Sequence, residues 1–142
     1  MKEELISFET AKLAKEKGFG VKTKKSFMGR KEYSAYNLRK GEDRVFEKLE
    51  PRLISSDCED NNNYIVCYAP TQSLLQRWLR EKHNIFLNLY FESILHYHYV
   101  NIVRWNEIGI RVKNKINHFE FNSYEEALEI GLQKALKLIE KK

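Results

Sequence analysis

The run Ala69-Pro70-Thr71-Gln72-Ser73-Leu74-Leu75-Gln76-Arg77-Trp78-Leu79-Arg80-Glu81 constrains the fold more than any other stretch of the chain. Pro suits the first turn of a helix, where its missing N–H would have no partner, and a Thr hydroxyl there can accept from an otherwise unpaired amide. Leu74, Leu75, Trp78 and Leu79 recur at i, i+1, i+4 and i+5 and share one face. Gln72, Gln76, Arg77, Arg80 and Glu81 point away from it. The pattern predicts an amphipathic helix over 71–83 that must lay a narrow apolar stripe on another layer. Trp78, flanked by Arg77 and Arg80, fits a partner-binding face as well, but its place beside Leu74 and Leu75 favours burial.

A second helix, over 123–140, closes the chain. Ser123 and Glu126 form a capping box, S-x-x-E. Tyr124, Ala127, Leu128, Gly131, Leu132, Ala135, Leu136 and Ile139 follow at helical spacing. Glu125, Glu126 and Glu129 lead and Lys134, Lys137, Lys141 and Lys142 close, which complements the helix dipole. Gly131 within the stripe costs about 1 kcal/mol relative to Ala, so it marks a close approach to a strand. The stretch between the helices reads as strands. Ile85, Leu87, Leu89 and Phe91 alternate with Phe86, Asn88 and Tyr90; residues 97–105 form a second strand; residues 108–121 hold a third, interrupted near Lys113-Asn114-Lys115. The expected architecture is therefore α+β: a small antiparallel sheet of three or four strands, with helices 71–83 and 123–140 on one face in the order α-β-β-β-α.

The N-terminal part adds to this core. Ser7 as N-cap, then Phe8, Ala11, Leu13 and Ala14, then Gly18 as a stop predict a helix over 8–17. Residues 19–41 have no clean period and read as an arm. Residues 41–50 suggest a short helix with Val45, Phe46 and Leu49 inward, ended by Pro51. The polar run 55–63 is the expected boundary between an N-terminal extension, 1–63, and the core, 64–142, in which residues 64–68 form a first strand.

At 142 residues, with 42% hydrophobic and 13% aromatic content, the chain can bury a real core. Its net charge of +5 is localised. Residues 22–44 hold eight bases against three acids, whereas the rest holds 17 of each. Lys24, Lys25, Arg30, Lys31, Arg39 and Lys40 supply phosphate contacts in this segment, and Phe27, Tyr33 and Tyr36 supply faces on which bases stack. The pattern points to a non-catalytic protein that associates with nucleic acid. The alternative is a protein–protein interaction module or homo-oligomeric structural protein that buries the same aromatics.

Other chemistry is poorly represented. There is no G-x-S-x-G, and Gly18-Phe19-Gly20 lacks the rest of a phosphate loop, so neither an enzyme nor a cofactor is expected. His96 and His98 stand two apart and would share a strand face, but no third metal ligand is singled out. The acids Asp57, Glu59 and Asp60 lack EF-hand spacing. Cys58 and Cys67 make no disulfide framework, no N-terminal apolar segment follows the charged start, and no apolar run approaches ~18 residues. These features fit a cytoplasmic protein without a membrane partner.

Two resemblances follow from the motifs. Ser7-Phe8-Glu9-Thr10-Ala11-Lys12-Leu13, the run from Ala69 to Glu81, and Tyr124-Glu125-Glu126-Ala127-Leu128 resemble, in that order, uncharacterised small proteins encoded by phages and prophages. This implies an origin without an assigned activity. Residues 69–140 also resemble the double-stranded-RNA-binding domain in element order, with Pro70 and Ser73-Leu74-Leu75-Gln76 opening its first helix and Ala135-Leu136-Lys137-Leu138-Ile139 ending its last. The resemblance implies the fold. The family's phosphate-gripping basic cluster at the start of the last helix is replaced here by Ser123-Tyr124-Glu125-Glu126, and its Gly-Pro loop between the first two strands is missing.

Overall fold

Among the described residues, three helices form where the caps place them. In the computed structural model, which describes residues 3–33, 46–48, 52–56, 63–94, 96–105, 111–115 and 121–140, helix α1 spans Phe8–Glu16, α2 Gln72–His83 and α3 Tyr124–Lys137. The hydroxyls of Ser7, Thr71 and Ser123 accept from the amides of Thr10, Leu74 and Glu126 at 3.3, 3.2 and 3.2 Å, satisfying a donor that each first turn would otherwise leave open. Glu126 reaches back to the amide of Asn122 (3.3 Å), one residue before the cap. Gly18, at φ +94°, and Asn84, at φ 53°, take the left-handed conformation just past α1 and α2.

Seven strands accompany them: β1 (Lys25–Tyr33), β2 (Phe46–Lys48), β3 (Arg52–Ser55), β4 (Asn63–Tyr68), β5 (Ile85–Glu92), β6 (Tyr97–Trp105) and β7 (Arg111–Lys115). All pairings are antiparallel, and the fold is α+β. The chain divides into two compact units. One comprises Met1–Phe19 with Pro70–Lys142, the other Gly20–Ala69. The division departs from the boundary expected at 55–63: β4 pairs with β1 rather than with the strands after α2, and the N-terminal helix belongs with the C-terminal part.

The first unit holds a three-stranded sheet, β5-β6-β7, with α2 and α3 on one face. A Cβ at Gly131 of α3 would stand 2.9 Å from Leu87 Cδ2 and 3.0 Å from Val100 Cγ2, so the glycine lets the helix backbone sit against β5 and β6 as expected. Ile85, Leu87, Val100 and Ile102 are buried under the helices, with Leu75, Leu79, Leu132 and Leu136 facing them from α2 and α3. Gln76 of α2 donates to the Leu87 carbonyl (3.2 Å), and Arg104 of β6 donates to the Leu138 carbonyl (3.2 Å) at the end of α3. Strand β7 runs without a break through Lys113-Asn114-Lys115, because those residues keep the period of two.

Helix α1 is tied in by a polar knot. Thr10, fully buried, donates to Glu129 Oε1 of α3 (2.5 Å), and Gln133 donates back to Thr10 Oγ1 (2.9 Å). The Ser7 amide also reaches Glu129 Oε1 (2.9 Å), and Gln72 of α2 reaches Glu129 Oε2 (3.3 Å). One carboxylate thus holds three helices. Trp78 lies half-buried between Phe19 and His83, edge-on at 5.4 and 4.5 Å between ring centroids, which answers its role within the fold.

The second unit is a four-stranded sheet in which β1 is the hub, pairing with β2, β3 and β4. The expected arm is therefore a strand from Lys25 onward, and the helix expected over 41–50 gives way to strand β2 at Phe46–Lys48. The register slips between Phe27 and Met28 on the β4 side. This bulge explains why Ser26, Phe27 and Met28 are all buried in succession and why the sequence shows no alternation there.

Candidate nucleic-acid interface

The basic segment of the sequence is spread along β1 and its surroundings. Lys24 and Lys25 are exposed at the entry to β1. Arg30, Lys31 and Tyr33 occupy its far half, next to β2. Phe27 is 8% exposed, so it offers no face to a base and is corrected from a stacking residue to a core residue of this unit. Tyr36, Arg39 and Lys40 lie outside the described residues, as do Cys58 and the acidic run 57–60.

The register of the β1–β2 ribbon sorts these residues by chemistry. Lys31 stands opposite Lys48, Glu32 opposite Glu47 and Tyr33 opposite Phe46. Opposed positions in an antiparallel pair belong to one face, and positions two apart along a strand share it. Lys31, Tyr33, Phe46 and Lys48 therefore share one face of the ribbon by register. Glu32 and Glu47 fall on the other face, with Arg30. Like charges directly opposed are destabilising, and here both like pairs are kept. Phe46, Lys48 and Arg52, the last opposite Met28 on β3, were missed in the sequence because strand register alone brings them to β1.

A second aromatic group lies at the end of the β5–β6 hairpin. Phe91 is 55% exposed and Ile94 82%. The Phe91 ring lies 4.9 Å from the His98 ring and 6.4 Å from that of His96, and His98 meets Tyr124 of α3 edge-on at 6.5 Å. His96 is outside β6, in a turn at φ 53°, so the two histidines do not share a strand face as the sequence suggested. Among the described residues no group of three His, Cys, Asp or Glu side chains is placed to hold a metal ion. Cys67 is a buried thiol. No helix among the described residues is long and apolar enough to cross a membrane.

On α2 the exposed pair Arg77–Glu81 (2.7 Å) is a local i, i+4 contact. The hydrogen bond from Arg77 holds the Glu81 carboxyl below its ordinary range. It leaves Arg80 and Lys82 as further exposed cations on the same helix.

Comparison with protein-family models, with curated proteins and with solved structures gives no match to this chain.

Proposed function

We propose that this is a non-catalytic nucleic-acid-binding protein, an accessory protein of phage or prophage type, and that the β1–β2 ribbon with the entry to β1 forms its phosphate-binding surface. The observation that carries the reading is the ribbon face of Lys31, Lys48, Tyr33 and Phe46. A folded protein gains nothing by itself from opposing two lysines across a ladder. A polyanion laid along the ribbon offsets that repulsion, and rings two positions away suit bases. Lys24 and Lys25 add cations at the entry to β1, Arg30 adds one on the opposite face, and Arg39, Lys40 and Tyr36 follow in sequence. The acidic start of α3 argues that the double-stranded-RNA-binding resemblance extends to element order and not to the family's mode of gripping RNA.

Fluorescence-anisotropy titration of single-stranded DNA, duplex DNA and duplex RNA at two salt concentrations tests the reading. Binding should weaken steeply with salt, with a slope of about −0.7 to −0.9 per phosphate neutralised. The combined substitution of Lys24, Lys25, Arg30 and Lys31 by Glu should abolish duplex binding, and survival of duplex binding in that variant would refute the assignment. A second reading, a protein partner or self-association, rests on the exposure of Phe91 and Ile94 at the hairpin end. It requires association that is insensitive to salt.

A further inference from the structure

The three-stranded sheet of the first unit has a helix-covered face and another on which, among the described residues of that unit, no helix packs. The backbone sorts residues between them. The Trp105 amide donates to the Asn84 carbonyl (3.1 Å), and pairing continues Phe86–Val103, Asn88–Asn101 and Tyr90–Tyr99. Residues 85, 87, 100 and 102 face the helices, so 86, 90, 99, 103 and 105 belong to the other face. There the rings of Tyr90 and Tyr99 lie stacked at 5.1 Å with an interplanar angle of 18°. Tyr90 is 44% and Trp105 43% exposed, Phe86 and Tyr99 are half-buried, and Val103 between them is buried.

Strand β7 completes this face. Arg111, Lys113 and Lys115 occupy the register positions opposite Trp105, Val103 and Asn101, whereas Val112 and Asn114 stand opposite Arg104 and Ile102 on the helix side. Three cations at alternate positions thus run beside a strand that carries Tyr99 and Trp105 six residues apart, about 20 Å. Acids are missing from the described positions of this face except at its far end, where Glu92 stands opposite Tyr97.

We infer that this helix-free face is a binding surface for single-stranded nucleic acid, with Tyr90, Tyr99 and Trp105 stacking bases and Arg111, Lys113 and Lys115 following the phosphates. Rings on a flat sheet can reach base faces only where the bases are not already stacked in a duplex. The three basic residues hold alternate register positions on the strand next to Tyr99 and Trp105, an order that matches a single backbone passing over the sheet with its bases turned inward. The face belongs to the first unit and the ribbon to the second. The ribbon's cations take the phosphates of a duplex as well as those of a single strand.

Anisotropy titration of the full chain against labelled oligothymidylate, and against a labelled duplex of equal length, separates the two surfaces. Tyr90→Ala and Trp105→Ala should each weaken oligothymidylate binding roughly tenfold and leave duplex binding unmoved, and Tyr90→Phe and Trp105→Phe should retain it. Lys113→Glu should weaken it and flatten its salt dependence. Circular dichroism melting establishes that each variant is folded, and Lys113→Glu decides the matter if the Ala variants are not, unchanged oligothymidylate affinity in it overturning the inference. Oligothymidylate affinity unchanged in folded Tyr90→Ala and Trp105→Ala would overturn the inference while leaving the ribbon assignment standing. Loss of duplex binding only in Lys31→Glu with Lys48→Glu would uphold the ribbon independently. No binding of oligothymidylate by the unsubstituted chain at low salt, or a dimer in light scattering that Trp105→Ala dissolves, would also overturn the inference, the latter assigning the face to a second copy.

Discussion

Glu129 is the residue on which the first unit turns. Its two oxygens accept from the Ser7 amide, the Thr10 hydroxyl and Gln72 Nε2, so one side chain satisfies donors from two other helices. Thr10→Val keeps the volume but removes the donor to Glu129 and the acceptor for Gln133. It should cost about 1–3 kcal/mol in chemical denaturation, where a methyl-for-hydroxyl exchange at an exposed site would cost almost nothing. Gly131 makes a complementary case. Substitution by Ala gains about 1 kcal/mol of helix propensity but drives a methyl to 2.9 Å of Leu87 and 3.0 Å of Val100. Overpacking of that kind typically costs about 1–3 kcal/mol, so Gly131→Ala should be neutral to destabilising and Gly131→Val clearly worse. A stabilised Gly131→Val would contradict the close approach. Sequence periodicity indicated the glycine's role, since a helix-breaking residue in an apolar stripe needs a packing reason. Glu129 carried no such mark, because an acid in the middle of a helix resembles any solvated acid until the partner helices are placed.

The helices were legible because their signals are local. Ser7, Thr71 and Ser123 each precede an apolar stripe, and each caps the helix expected of it. Thr71→Ala should destabilise by about 1 kcal/mol in thermal melting, and Thr71→Ser should restore most of the loss. Strands β5 and β6 were legible for a related reason: each alternates along its own length. Strand β1 was not. Its bulge at Phe27/Met28 breaks the period, and its three partners lie 13 or more residues away in the chain, so nothing local announces it. The same displacement hid the ribbon face. Lys31 and Lys48 are 17 residues apart in sequence and adjacent in the ladder, and Phe27, which composition offered as a stacking ring, is drawn into the core by the pairing that creates the strand. On the first unit, the alternation Arg111, Lys113, Lys115 against Val112, Asn114 was present to be read, but the paired lysines looked like an interruption rather than one side of a strand.

At the scale of the whole molecule, the first unit is assembled from both sides of the second in sequence. Residues 1–19 therefore contribute stability to residues 70–142 without adjoining them in the chain. A chain lacking 1–19 loses the packing of α1 on α3 and the bonds of Ser7 and Thr10 to the Glu129 carboxylate. It should melt at least several degrees lower, since each 1 kcal/mol shifts Tm by about 4–8 °C in a unit of this size. An unchanged Tm would show that α1 is not part of the cooperative unit. The charge of the molecule also divides differently from the primary sequence: Gly20–Ala69 holds ten bases and eight acids, net +2, even though its first half is strongly basic. Binding to a polyanion must therefore come from faces and ridges rather than from a uniformly positive unit, and its salt dependence should report the few cations of those faces.

The tie between Thr10 and Glu129 spans 119 residues of chain, and this sets an order of events during synthesis. At roughly 5–20 residues per second, α1 leaves the ribosome on the order of ten seconds before its carboxylate partner exists. In that interval Gly20–Ala69 is already complete and free to pair its strands, while the first helix made waits with its buried face uncovered. Of the helices described, the one made first thus waits longest for its partner, and a chain stalled before α3 would hold out the buried face of α1 to whatever chaperone or protease meets it first.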